Sequence, residues 1–185
     1  MSGGTQMNKD NSSWITRRKL PNKIVDLIEK ESYKVPWYFF KDCALPLEVV
    51  ERDGLDMNPY FSHALMRGRD KSKEYQFFPM DFVTQFAMQK KDKMMRAHIT
   101  FHYPSPDKFG IPHNAHVDQE VPHKVLLYYI NDADGDTFFF KDKEVIHRET
   151  PERGKMVLFD GSYYHASSAP SNNIRMTLNI NYELT

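Results

Sequence analysis

The spacing of apolar residues changes character near Met94, and that change constrains the fold more than any other feature of the chain. Arg96, His98, Thr100 and His102 alternate with Ala97, Ile99, Phe101 and Tyr103, which predicts a strand with one polar and one apolar face. Further extended segments are predicted at Ala115–Glu120, Val125–Ile130, Thr137–Phe140, Val145–His147, Met156–Phe159 and Arg175–Tyr182. Val125–Ile130 is apolar throughout and reads as a strand buried on both faces. Turn signals separate the segments: NDADGD at Asn131–Asp136, Pro151 with Gly154, and Asp160-Gly161. Before Met94 the spacing is helical. Leu20, Ile24, Leu27 and Ile28 share one helix face behind Pro21, a short helix fits Pro46–Glu51, and a third is predicted from Pro79 to about Lys91, with Phe82/Phe86 and Val83/Ala87 as i,i+4 pairs. Aromatic-rich loops such as Pro36–Phe40 lie between them. Helices first and short strands afterwards predict a mainly β, α+β chain, a β-sandwich or jelly roll backed by N-terminal helices. Residues 1–13 read as a flexible tail and 14–185 as one domain, with 14–94 a helical support region and 95–185 the β core.

Composition removes several functional classes. Lys and Arg together number 25, as do Asp and Glu, so the formal net charge is zero. That argues against a general nucleic-acid coat or a membrane-surface protein. The apolar run Val125–Ile130 is far shorter than the roughly 20 residues of a membrane-spanning helix, and the polar first 13 residues hold no secretory h-region. Cys43 is the lone cysteine, so no internal disulfide or cysteine-based zinc site is expected, and a cytoplasmic location is the expectation. Cys43 itself reads as a packing residue.

Seven of the eight histidines fall at or after His98. His116-Val117-Asp118 is an H-x-D step on a predicted strand, where residues i and i+2 point to one face and can reach one metal. His165, beyond the Met156–Phe159 strand, is the candidate third ligand. Two imidazoles and one carboxylate with open positions suit non-haem Fe(II) chemistry. The rival step, His147-Arg148-Glu149, lies close in sequence to His165 and reads as a surface strand end. His98 and His102 share a polar strand face, facing either solvent or a pocket, while His63, His113 and His123 read as ordinary polar residues. Ten positions after His165, Arg175 opens the segment RMTLNINY, where Arg175, Thr177, Asn179 and Asn181 share one face. That face either meets solvent at an edge or lines a pocket in which Arg175 clamps a carboxylate and Thr177 adds a hydrogen bond. Other motifs fail: the Asp132-x-Asp134-x-Asp136 run lacks the glycine and glutamate of a calcium loop, and no phosphate-binding glycine loop or nucleophile elbow is present. Lys90, Lys91, Lys93 and Arg96 read as a solvated basic helix end, with a lip for an anionic substrate as the other reading.

His116-x-Asp118, the distal His165 and an arginine ten residues beyond resemble the iron(II)- and 2-oxoglutarate-dependent oxygenases. LLYYINDADGDTFFF (Leu126–Phe140) is similar to the strand–turn–strand after H-x-D in the prolyl-4-hydroxylase-like branch, and Pro151–Tyr182 to its closing strands. The resemblance covers about residues 95–183. It implies a double-stranded β-helix, the jelly-roll, cupin-like core of that family. It further implies Fe(II) held by His116, Asp118 and His165, the distal carboxylate of 2-oxoglutarate on Arg175 with Thr177 beside it, and Tyr129 hydrogen-bonded to that cosubstrate. The implied reaction is a dioxygenase one: decarboxylation of 2-oxoglutarate to succinate with O2, coupled to hydroxylation of a C–H bond in a peptide, protein or small molecule. A prolyl or other amino-acid residue is a candidate substrate and ascorbate a candidate reductant. Collagen-type prolyl hydroxylases carry lysine where this chain has Arg175, which argues against a procollagen-like substrate. Two other readings remain open at this stage: a cupin-like iron protein that does not use 2-oxoglutarate, and a non-catalytic jelly-roll interaction or structural protein.

Overall fold

A computed structural model describes residues 14–89 and 92–183; the tail at residues 1–13 and the lysines at 90 and 91 lie outside the described residues. In chain order the elements are β1 (Ile15–Lys19), α1 (Asn22–Ser32), β2 (Tyr38–Phe40), α2 (Leu47–Arg52), β3 (Tyr60–Arg67), β4 (Asp70–Lys71), α3 (Met80–Thr84) and β5 (Lys93–His102). They continue with β6 (Lys124–Tyr129), β7 (Thr137–Lys141), β8 (Glu144–Glu149), β9 (Lys155–Asp160), β10 (Tyr164–Ser167) and β11 (Arg175–Glu183). The large sheet runs β1-β9-β6-β11-β5-β3-β2, with β4 on β3, and the small sheet runs β10-β7-β8. The chain is mainly β with a jelly-roll core, as the period change predicts.

Each face of the large sheet has its own partner. Leu126, Tyr128 and Ile130 face outward and join Ile99, Leu178 and Ile180 against Val25 and Ile28 of α1 and Met80 and Val83 of α3. The alternate residues of β6, Val125, Leu127 and Tyr129, face the barrel interior with Ile15, Val157, Phe159 and Phe139 of the small sheet. Burial on both faces explains the unbroken apolar run at Val125–Ile130, each such side chain contributing roughly 1.5–3 kcal/mol. The interior is therefore apolar on the β1-β9-β6 side, while β11 and β5 turn polar side chains into it. The candidate site sits where the two meet.

Several expectations need correction. Residues 14–94 are not a purely helical support: β1 pairs with β9 and β3 pairs with β5, so this half supplies strands to the main sheet. A register shift between Ala64 and Met66 breaks the alternation in β3, burying Leu65 and Met66 in succession and hiding the strand from a period-two reading. Among the described residues the helix expected from Pro79 to about Lys91 is only α3, and beyond Thr84 the chain continues as turns. Ala115–Glu120 is not a strand. Only His116 pairs, exchanging two backbone hydrogen bonds with His165, and Asp118 then turns toward the other sheet. Arg96 is not part of a solvated helix end but lies on β5.

Candidate metal centre

His116, Asp118 and His165 come together as the H-x-D reading requires, each offering one ligand atom within 4.8 Å of the others. The backbone pairing of His116 with His165 sets the two imidazoles side by side, ring centroids 4.9 Å apart. His116 Nδ1 lies 3.1 Å from the Asn114 carbonyl, and His165 Nδ1 lies 3.1 Å from the Tyr163 carbonyl. A carbonyl can only accept, so both Nδ1 atoms carry the proton and both Nε2 lone pairs are left free. Those Nε2 atoms face Asp118, at 3.8 and 3.7 Å. This is the tautomer a metal-ligating histidine needs, fixed by backbone partners. Burial holds the His165 imidazole down to about 4, so it is neutral at pH 7.

Asp118 carries the site's negative charge. Its side chain is 2% exposed, and burial alone would push its carboxyl up. The opposing pull of His165, Arg96, His116 and His98 is larger and holds it well below the usual carboxylate range. Oδ2 accepts hydrogen bonds from Asn179 Nδ2 at 3.1 Å and Asn181 Nδ2 at 2.8 Å, and Oδ1 accepts one from Arg96 Nη2 at 2.8 Å. A carboxylate and two imidazoles with Nε2 turned toward it, on one side of a cavity with the other side open, fit a divalent iron-type ion. The donor set therefore fits the metal that the sequence reading implies.

The ligands open onto a narrow cavity of about 70 Å³ between the sheets. Its floor is a ladder of facing residues on β5 and β11: His102 opposite Arg175, Thr100 opposite Thr177, His98 opposite Asn179 and Arg96 opposite Asn181. The polar strand faces thus line a pocket between the sheets. Thr177 is buried and shares a 2.8 Å hydrogen bond with Thr100. Arg175, 3% exposed, donates from Nε to the Gly135 carbonyl at 2.8 Å and from Nη2 to Thr137 Oγ1 at 2.8 Å. Burial pulls its guanidinium below its ordinary value. Among the described residues no carboxylate forms an ion pair with it, so a buried cation is left facing the cavity. Tyr129 does not line the cavity directly, but its hydroxyl lies 2.8 Å from Thr137 Oγ1, and Arg175 sits over its ring. The Asp-rich segment Asn131–Asp136 carries the chain from β6 of the large sheet to β7 of the small one. Gly135 is required there because a Cβ would stand 2.6 Å from the Ser168 carbonyl.

Sequence reasoning missed Thr137, which links the two residues expected at the cosubstrate, because TFFF reads as an apolar strand start. Cys43, read as a packing residue, packs in the cavity wall, its Sγ 3.5 Å from His113 Nδ1 and its thiol pushed up to about 12 by burial. His113 is more than an ordinary polar residue: it is buried against His102, ring centroids 5.0 Å apart. Glu149 is not a surface strand end either, being buried among Arg17, His147 and Lys155 on the far side of β7 from the ligands.

No protein-family model matches the chain, and no curated protein matches it. Solved structures do. A 2OG-Fe(II) oxygenase-family oxidoreductase from Burkholderia pseudomallei superposes with a TM-score of 0.67 at 12% identity, over 93% of this chain and 86% of that one. A prolyl hydroxylase from Trichoplax adhaerens, in complex with a hypoxia inducible factor peptide fragment, gives 0.62 at 13% over 95% and 86%. HygX from Streptomyces hygroscopicus, with nickel and 2-oxoglutarate bound, gives 0.58 at 8% over 95% and 84%. At these identities the likeness is one of architecture, and the fold this chain shares is that of the 2OG-Fe(II) oxygenases.

Proposed function

We propose that this chain is an Fe(II)- and 2-oxoglutarate-dependent dioxygenase that hydroxylates a C–H bond, with succinate as the co-product. The observation that carries the reading is a pairing of features in one cavity: a two-histidine, one-carboxylate triad and, further along the same ladder, the buried Arg175 without an anion. An unpaired buried charge costs several kcal/mol, so the pocket is built for an anionic ligand at Arg175. The distal carboxylate of 2-oxoglutarate meets that need, and its keto-acid end then points toward the triad.

His116, Asp118 and His165 would hold the iron, which supplies O2 activation and chelation of the keto acid when bound. The residues of this chain set the geometry. The backbone carbonyls of Asn114 and Tyr163 keep the imidazole protons on Nδ1, and Asn179 and Asn181 aim the Asp118 carboxylate. Gly135 and Thr137 fix the Arg175 fork so that it can take a carboxylate through parallel hydrogen bonds. Leu127, Tyr129 and Phe139 keep the neighbouring interior apolar, which strengthens each of these contacts. A prolyl or other amino-acid substrate is the finer reading, supported by the peptide-bound prolyl hydroxylase of the same fold.

Anaerobic titration with Fe(II) and then 2-oxoglutarate tests the proposal. The expected result is a weak visible charge-transfer band that is lost in His165→Ala, through the metal, and in Arg175→Met, through the cosubstrate. Iron binding without the band would point to an iron protein that does not use 2-oxoglutarate. Absence of iron binding would leave a jelly roll with a non-catalytic role.

A further inference from the structure

Arg96 is the one charged residue of the cavity that the proposed chemistry leaves unused. It stands at the opposite end of the β5–β11 ladder from Arg175, facing Asn181, while Arg175 faces His102. Six residues of strand separate those two levels, about 20 Å at 3.3–3.4 Å per residue. The Asp118 carboxylate touches Asn179, Asn181 and Arg96, so the triad lies toward the Arg96 end. A ligand anchored on Arg175 approaches the triad from the end of the ladder opposite Arg96.

The guanidinium is held on one side only. Nη2 donates to Asp118 Oδ1, while among the described residues neither Nε, which is buried, nor Nη1, which is not, has a hydrogen-bond partner. The side chain is 27% exposed, so it stands at the mouth of the cavity. Arg67 is its partner in register on β3, which adds a second guanidinium at that edge. Charge makes the same point. The charged residues lining the cavity are Arg96, Asp118 and Arg175. A divalent ion and a dianionic keto acid add equal and opposite charges, so the loaded site retains one net positive charge, and the guanidinium with donors to spare is Arg96. A metal ion drawing on Asp118 also weakens the one contact Arg96 makes.

We propose that Arg96 is the anion-binding residue of the primary-substrate subsite, and that the substrate is a small organic or amino acid whose carboxylate docks on the outward Nη1 edge of the Arg96 guanidinium beside the metal. This rests on the proposed function, because it places the substrate opposite the Arg175 pocket. The neutral alternative is that Arg96 only positions Asp118.

The test uses protein loaded with Co(II), as a redox-stable reporter, and saturating 2-oxoglutarate. Propionate and its neutral isostere propionamide are titrated while the Co(II) ligand-field absorption is followed. Wild type is expected to respond to propionate at a concentration about tenfold lower than to propionamide, the factor a charge-assisted hydrogen-bonded pair supplies. Arg96→Gln, titrated at cobalt and 2-oxoglutarate concentrations that saturate the variant, is expected to abolish that preference. Arg96→Met, which also removes the charge, answers the same question, and because the preference is a ratio of two responses in one protein it is read even where a variant binds cobalt more weakly. Equal responses to the two probes in wild type would overturn the proposal, as would a preference that survives in the variants, because the anion would then be landing on the metal. Failure of 2-oxoglutarate to change the cobalt spectrum would instead strike at the proposed function, and the same two-probe comparison without 2-oxoglutarate still reads Arg96.

Discussion

Thr137→Val is the sharpest probe of the pocket, because it removes one hydroxyl and nearly conserves volume. That hydroxyl lies 2.8 Å from both Arg175 Nη2 and Tyr129 Oη, and Thr137 is 2% exposed, so water cannot replace it. Losing the neutral bond to Tyr129 costs about 1 kcal/mol, and losing the bond to the charged Arg175 costs about 1.5–3 kcal/mol. The expected destabilisation is therefore about 3 kcal/mol, a large part of a typical total of roughly 5–15 kcal/mol. Tyr129→Phe breaks only the neutral bond and should cost about 1 kcal/mol. In the double variant the tyrosine hydroxyl is already without its partner, so the combined loss should nearly equal that of Thr137→Val alone, a coupling of about 1 kcal/mol. Urea unfolding of the four proteins, free of metal and cosubstrate, measures this cycle. Strict additivity, or a Thr137→Val cost below about 1 kcal/mol, would refute the claim that Thr137 links Arg175 to Tyr129.

Three further outcomes are expected. Burial holds His98 down to about 3, His113 to about 4 and His102 well below its ordinary value. The unfolded chain then takes up protons from about pH 6.5 downward while the folded chain does not, so stability should be full above pH 6.5 and fall by up to about 1.4 kcal/mol per pH unit per histidine toward pH 4. Urea midpoints that do not move between pH 7 and 5 would contradict this. Gly161→Ala places a Cβ 2.1 Å from His123 Nε2 and should cost about 1–3 kcal/mol by overpacking, whereas Gly68→Ala meets nothing within 4 Å and should cost only the strain of its φ of +60°; unfolding midpoints compare the two. Co(II) at 100 times its dissociation constant should stabilise the protein by about 2.7 kcal/mol, read as a rise in melting temperature that His165→Ala abolishes.

The ligands were legible because their signal is local. His116 and Asp118 stand two apart, and His165 and Arg175 flank one junction between strands. The polar faces of β5 and β11 were equally plain as patterns, since alternation marks the residues of a face. It does not say whether that face meets solvent or the inside of a barrel, so His98 and His102 had no role to read, and Arg96 read only as part of a basic helix end or substrate lip. Thr137 was hidden for the opposite reason, as one hydroxyl at the head of an apolar strand. β3 escaped because a bulge cancels its alternation, and β10 because four residues around His165 are too few to show a period. What the sequence lacked in each case was the pairing partner, a long-range property.

Those pairings explain why the metal centre forms at this place in the barrel. His116 and His165 belong to the small-sheet side through their two backbone bonds, and the side-chain amides of β11 and the guanidinium of β5 fasten Asp118 to the large sheet. An ion bound by all three would therefore join the sheets across the cavity. It would stand on the same β5–β11 pair that holds Arg175 at the other end. Strand pairing is rigid and register is specified where one face packs in a core, as the outward face of β11 does here against α1 and α3. The distance between Arg175 and the triad is thus set by backbone geometry, and loop conformation has little influence on it. A fold that fixes this spacing keeps the triad and the clamp in register even where exposed residues at its edge, such as Arg67 on β3, differ.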